Sequence, residues 1–76
     1  MESRADFRER EGLILSQCRL ESGLSQEYVA RKMDVNIRTV RNWEEGLSPI
    51  RSDDLLMWFT VCKQSPWRWL QRIWMP

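Results

Sequence analysis

Large apolar residues recur at three- and four-residue spacing along most of the chain, and no segment alternates apolar and polar positions as a half-buried strand does. Helix 1 is predicted from about Arg8 to Glu21, with Ile14 and Cys18 four apart and Leu13 and Leu20 seven apart on an apolar stripe. Residues 1–8 alternate in charge around Phe7, as a frayed arm or the solvated start of that helix would. Ser22-Gly23 ends it, glycine suiting a left-handed C-terminal cap. Ser25 is an N-cap for helix 2, Gln26 to Met33, and Asn36 caps helix 3, Ile37 to Glu45, which Gly46 closes. Pro49 keeps the next stretch a loop. Ser52 is expected to cap helix 4, Asp53 to Cys62, with Asp53 and Asp54 at its positive end. Pro66 opens helix 5, ending near Trp74. The expectation is an all-α, compact five-helix domain spanning residues 9–76 behind the arm.

Composition narrows what such a domain can do. At 76 residues only a small core is available, yet 42% hydrophobic residues exceed what a disordered chain carries. Histidine is absent, removing the commonest general base and metal ligand. Cys18 and Cys62 form no Cys-x-x-Cys clamp and are expected as buried small hydrophobes. No nucleophile has a base and no glycine-rich phosphate loop exists. The expectation is no enzyme, no cofactor and no metal. No apolar run approaches a membrane span and no secretory signal opens the chain, which places the protein in the cytoplasm. The net charge of +1 argues against a strong overall grip on nucleic acid, but its distribution is uneven. Between Arg31 and Asn42 four cations face one anion, Asp34, and from Lys63 onward three cations face none.

Helices 2 and 3, with the connector Asp34-Val35-Asn36, have the form of a helix-turn-helix over residues 26–45. Ala30 supplies the small side chain that two steeply crossing helices need, and Val29, Met33, Val35, Val40 and Trp43 face a shared core. The outer face of helix 3 then carries Ile37, Arg38, Arg41 and Asn42, a set suited to reading a DNA major groove.

The run Gly23-Leu24-Ser25-Gln26-Glu27-Tyr28-Val29-Ala30, followed in register by Thr39-Val40-Arg41-Asn42-Trp43-Glu44-Glu45-Gly46, resembles the phage repressor and Cro (XRE-like) family of helix-turn-helix regulators. The resemblance covers about residues 13–71 and implies a lambda-repressor-like fold. It implies that Ile37, Arg38 and Asn42 meet base edges, with Arg41 beside them, and that Gln26, Asn36 and Thr39 contact phosphate. It also implies an internal salt bridge between Arg19 and Glu44. Two positions depart from the pattern. Asp34 stands at the turn position usually held by glycine, where a positive φ is expected. In the loop after Gly46, Arg51 is the one cation, so Gln26, Asn36, Thr39 and Arg51 make a phosphate-contacting set with a single positive charge. Weak monomer binding and a shallow salt dependence follow.

Five tryptophans are unusual in a chain this short. Trp69, Leu70 and Ile73 form the face of helix 5 that docks on the core, while Trp67 and Trp74 form a second face with Leu70 at the boundary. The expected use of Trp67, Leu70 and Trp74 is a homodimer contact, as the resemblance also implies; folding of Trp67 or Trp74 against helix 1 or Phe7 is the alternative. Trp58 packs inward or lies partly exposed, and Tyr28 borders DNA or covers the core edge. The reading is a dimeric, sequence-specific repressor of phage or mobile-element type on a two-fold symmetric double-stranded operator, bacterial or phage-encoded. The alternative is an antitoxin or protein-interaction module whose tryptophan-rich end binds a toxin or anti-repressor.

Overall fold

In the computed structural model, which describes residues 2–74 with the side chain of Trp74 outside the described set, five helices follow one another: α1 (Arg4–Glu21), α2 (Gln26–Met33), α3 (Ile37–Glu44), α4 (Ser52–Cys62) and α5 (Pro66–Trp74). No strand occurs among the described residues. α1 is the central element, packed against α3, α4 and α5, while α2 packs on α3 and α4.

α1 starts one turn earlier than its apolar spacing predicts. Ser3 accepts a hydrogen bond from the Asp6 amide, and the Asp6 carboxylate accepts one from the Ser3 amide, a reciprocal cap that fixes the first turn. Leu13 and Leu20 are not part of the inward stripe: they are 55% and 63% exposed, and Ile14, Leu15 and Cys18 are buried in their place. A seven-residue spacing repeats on every side of a helix, and here the flanking buried residues choose the other side. Ser52 is likewise not the cap of α4. It is the first helical residue, Arg51 occupies the cap position without a side-chain bond, and Asp53 and Asp54 lie in the first turn as expected. The turn after α2 behaves as predicted, Asp34 adopting a left-handed φ of 57°.

The core contains Ile14, Leu15, Cys18, Val29, Ala30, Val40, Trp43, Ile50, Trp58, Phe59, Cys62, Trp69 and Ile73. Trp58 is fully buried and donates from Nε1 to the Leu15 carbonyl at 3.2 Å, so its polar edge is satisfied inside the core. It meets Trp43 edge-on, ring centres 6.2 Å apart. Cys18 and Cys62 are both buried, and the neighbouring Cys62 thiol together with burial pushes Cys18 far above the usual range. Both act as small packing groups in the core. α5 is tied to α1 at both ends: Arg10 donates to the Ile73 carbonyl at 3.1 Å, and Arg68 pairs with Glu21 at 3.1 Å.

Gly12 sets the α1–α3 distance. A Cβ there would lie 2.5 Å from the Glu44 carbonyl oxygen and 2.7 Å from that of Trp43. Both obstacles are backbone and cannot rotate away. Gly12→Ala is expected to lower stability toward the upper end of the roughly 1–3 kcal/mol that overpacking costs, despite alanine's better helix propensity. Urea denaturation checks this; an unchanged midpoint would refute the close approach.

Candidate nucleic-acid interface

The surface that could meet DNA is built by two short helices whose starting ends are both capped from their own sequence. Ser25 Oγ accepts the Tyr28 amide at 3.0 Å, and Asn36 Oδ1 accepts the Arg38 amide at 2.8 Å. Each cap leaves other first-turn amides unpaired within its helix, where the positive end of the helix dipole favours an anion.

α3 divides its residues cleanly. Val40 and Trp43 are buried, Arg38 and Arg41 are exposed, and Ile37, Thr39 and Asn42 are half-buried. The outward face therefore presents two guanidinium groups and an amide, with Ile37 partly packed against the core. Arginine can pair with guanine through O6 and N7, and asparagine with adenine through N6 and N7. Asn36 is exposed at the cap, and Arg51 stands on the α3–α4 loop with its side chain 82% exposed beside Asp53.

Behind this face lies the ion pair that the family likeness implies. Arg19 donates from Nε to Glu44 Oε2 at 2.7 Å and from Nη2 to Oε1 at 2.9 Å, while Nη1 donates to the Leu24 carbonyl at 2.9 Å. Only 10% of the arginine side chain and 5% of the glutamate side chain are accessible. The bond to Glu44 holds the Arg19 guanidinium above its ordinary pKa against the opposing effect of burial. The pair joins the end of α1 to the end of α3, and its reach extends outward. Gln26 donates from Nε2 to Glu44 Oε1 at 3.1 Å, and Arg41 Nε lies 3.5 Å from Gln26 Oε1. Gln26, expected from the sequence only as a phosphate contact, is thus also held in place by an internal carboxylate.

Tyr28 is half-buried on α2, with Arg31 and Lys32 each within 6 Å of its ring centre at 5.8 and 5.6 Å. On α5, Trp69 and Ile73 are buried, Leu70 is half-buried and Trp67 is 68% exposed, so Trp67 does not fold back onto α1 or Phe7. The Trp74 side chain lies outside the described residues. Nothing in the linear pattern places Arg4 and Arg8 beside the α3–α4 loop, yet with Phe7, Glu11, Pro49 and Ile50 they line an open cleft of about 360 Å³. Their charges alternate with acidic ones along the chain, and the folded α1 brings Arg4 and Arg8 to one side together with a single carboxylate, Glu11.

A helix-turn-helix family model matches residues 15–66. Among solved structures the chain is similar to the clp gene regulator ClgR from C. glutamicum, with a TM-score of 0.82, 21% identity, and coverage of 88% of this chain and 87% of that one. No curated protein matches the sequence. No helix among the described residues is long and apolar enough to cross a membrane.

Proposed function

The chain belongs to the XRE-type helix-turn-helix family of DNA-binding transcriptional regulators, and we propose that it acts as a dimeric, sequence-specific repressor of phage or mobile-element type. The observation that carries this reading is the outward face of α3, where Arg38 and Arg41 are exposed beside Asn42 while Val40 and Trp43 hold the opposite face in the core. In the proposed complex α3 enters the major groove with Ile37, Arg38, Arg41 and Asn42 toward base edges. Gln26, Asn36, Thr39 and Arg51 rest on the phosphate strands. Selecting bound duplexes from a random pool tests the reading. A two-fold symmetric consensus is expected, and recovery of unselected sequence would overturn it.

The dimer would be built on Trp67, Leu70 and Trp74, setting two α3 units about 34 Å apart on one face of the duplex. Its support is the 68% exposure of Trp67 on a helix already anchored to the core by Trp69 and Ile73. Trp67→Gln is expected to give a folded protein that sediments as a monomer and binds operator at least tenfold more weakly. A variant that stays dimeric would move the contact elsewhere. The same exposed indole would also suit a protein partner such as a toxin or anti-repressor; a monomeric wild type that still binds DNA would favour that use.

A further inference from the structure

We propose that the cleft between the first two turns of α1 and the α3–α4 loop is a second phosphate-gripping element, with Arg4 and Arg8 adding cations to the loop's single Arg51. The proposal rests on the DNA-binding reading and extends it to a segment outside the matched residues 15–66. Three observations carry it.

The first is position. α3 has eight residues, a length of about 12 Å, and the major groove is about 12 Å wide. With the N-terminal half of α3 against the bases, the segment after its C-terminus stands at the groove's rim, where a phosphate strand runs. That segment is the loop leading through Pro49 and Ile50 to Arg51, and the cleft lies directly on it.

The second is a fixed approach. A Cβ on Gly46, which has a φ of 73°, would lie 2.9 Å from the Glu9 Cα, so the α1 backbone sits directly on the end of α3. The capping interaction of Ser3 and Asp6 keeps these turns helical, and Arg10 anchors them to α5. Arg4 and Arg8 are thereby held on a rigid element.

The third is charge. Among the described residues no carboxylate lies within ion-pair distance of Arg4 or Arg8, whereas Arg10 is paired with Glu2 and Arg51 with Asp53. Glu11 is the one acidic residue lining the cleft. It is half-buried, and burial raises its pKa against the opposing influences of the Ile50 backbone and the Arg8 charge. Glu9 and Glu45 are exposed on the adjoining backbone and set a limit on the attraction. Two cations against one half-buried carboxylate leave the cleft attractive to a phosphodiester. Such a contact reads no sequence; it fixes position and adds salt-sensitive affinity.

The test measures affinity of the full-length chain for its selected operator and for a random duplex across a salt series. R4Q/R8Q should reduce the log–log salt slope by roughly 1–2 and weaken both duplexes by the same factor, leaving thermal unfolding unchanged. R4K/R8K should restore most of the slope, because the charge is kept, and E11Q should tighten both duplexes. An unchanged slope in R4Q/R8Q overturns the proposal. So does an unchanged slope accompanied by wild-type binding of millimolar inorganic phosphate without DNA, which assigns the cleft to a free ion. If R38A/N42A destroys operator preference while R4Q/R8Q changes nothing, the DNA-binding reading stands and this extension alone fails. If the wild type binds neither duplex, both fail.

Discussion

Arg38→Ala combined with Asn42→Ala is expected to abolish operator preference while leaving the fold intact. Both side chains lie on the outward face of α3, Arg38 exposed and Asn42 half-buried, and neither makes a side-chain hydrogen bond to the rest of the protein among the described residues. Their removal therefore opens no cavity. Each two-pronged base contact is worth about 1–3 kcal/mol of discrimination. Losing two such contacts removes on the order of 2–6 kcal/mol, or a factor of roughly 30 to 10⁴ in operator affinity. Affinity for random duplex should change far less, because helix-end amides and Arg51 remain. Competition binding with both duplexes checks this, and equal weakening on the two would contradict a base-reading role.

Arg19→Met should produce the largest loss of stability of any single change discussed. The guanidinium makes two bonds to Glu44 and one to the Leu24 carbonyl, with 10% of its side chain accessible. Removing it leaves a carboxylate that is 5% accessible without its counter-ion. Breaking a buried pair from one side costs about 3–5 kcal/mol, a large share of what a domain of this size holds. Arg19→Met with Glu44→Leu should recover much of that loss, because two apolar groups of similar bulk need no counter-ion. Chemical denaturation of the three proteins decides the point. If the double variant is no more stable than Arg19→Met alone, stranded charge is not the cause. Since Gln26 is held by Glu44, the repaired double variant should still bind operator less tightly than wild type.

What the sequence made legible follows from where the chain writes its signals. α2 and α3 are recognisable because Ser25 and Asn36 announce their starts, and both do cap. The buried faces of these helices follow from strong periodicity in a short span. Where the sequence misleads, spacing is ambiguous or a signal is shared. Leu13 and Leu20 satisfy helical spacing as well as Ile14 and Cys18 do, and only packing against neighbours separates them. Ser52 has the chemistry of a cap, yet the chain becomes helical one residue earlier. The reciprocal cap at Ser3 and Asp6 is hidden in a stretch of alternating charge with few apolar residues. Gly12 carries no local signal at all, because its requirement comes from the backbone of α3, more than thirty residues on. Arg4 and Arg8 are legible only once the folded α1 sets them beside Pro49.

The distribution of the indoles has a practical side. Trp43, Trp58 and Trp69 are buried, the first two meeting edge to face, whereas Trp67 is in contact with solvent. The described indoles thus fall into two optical classes: a shielded set whose emission shifts when the interior opens, and a hydrated one accessible to a dissolved quencher. Shielding of the second without change in the first is the optical signature of association between intact subunits, readable without attaching a dye.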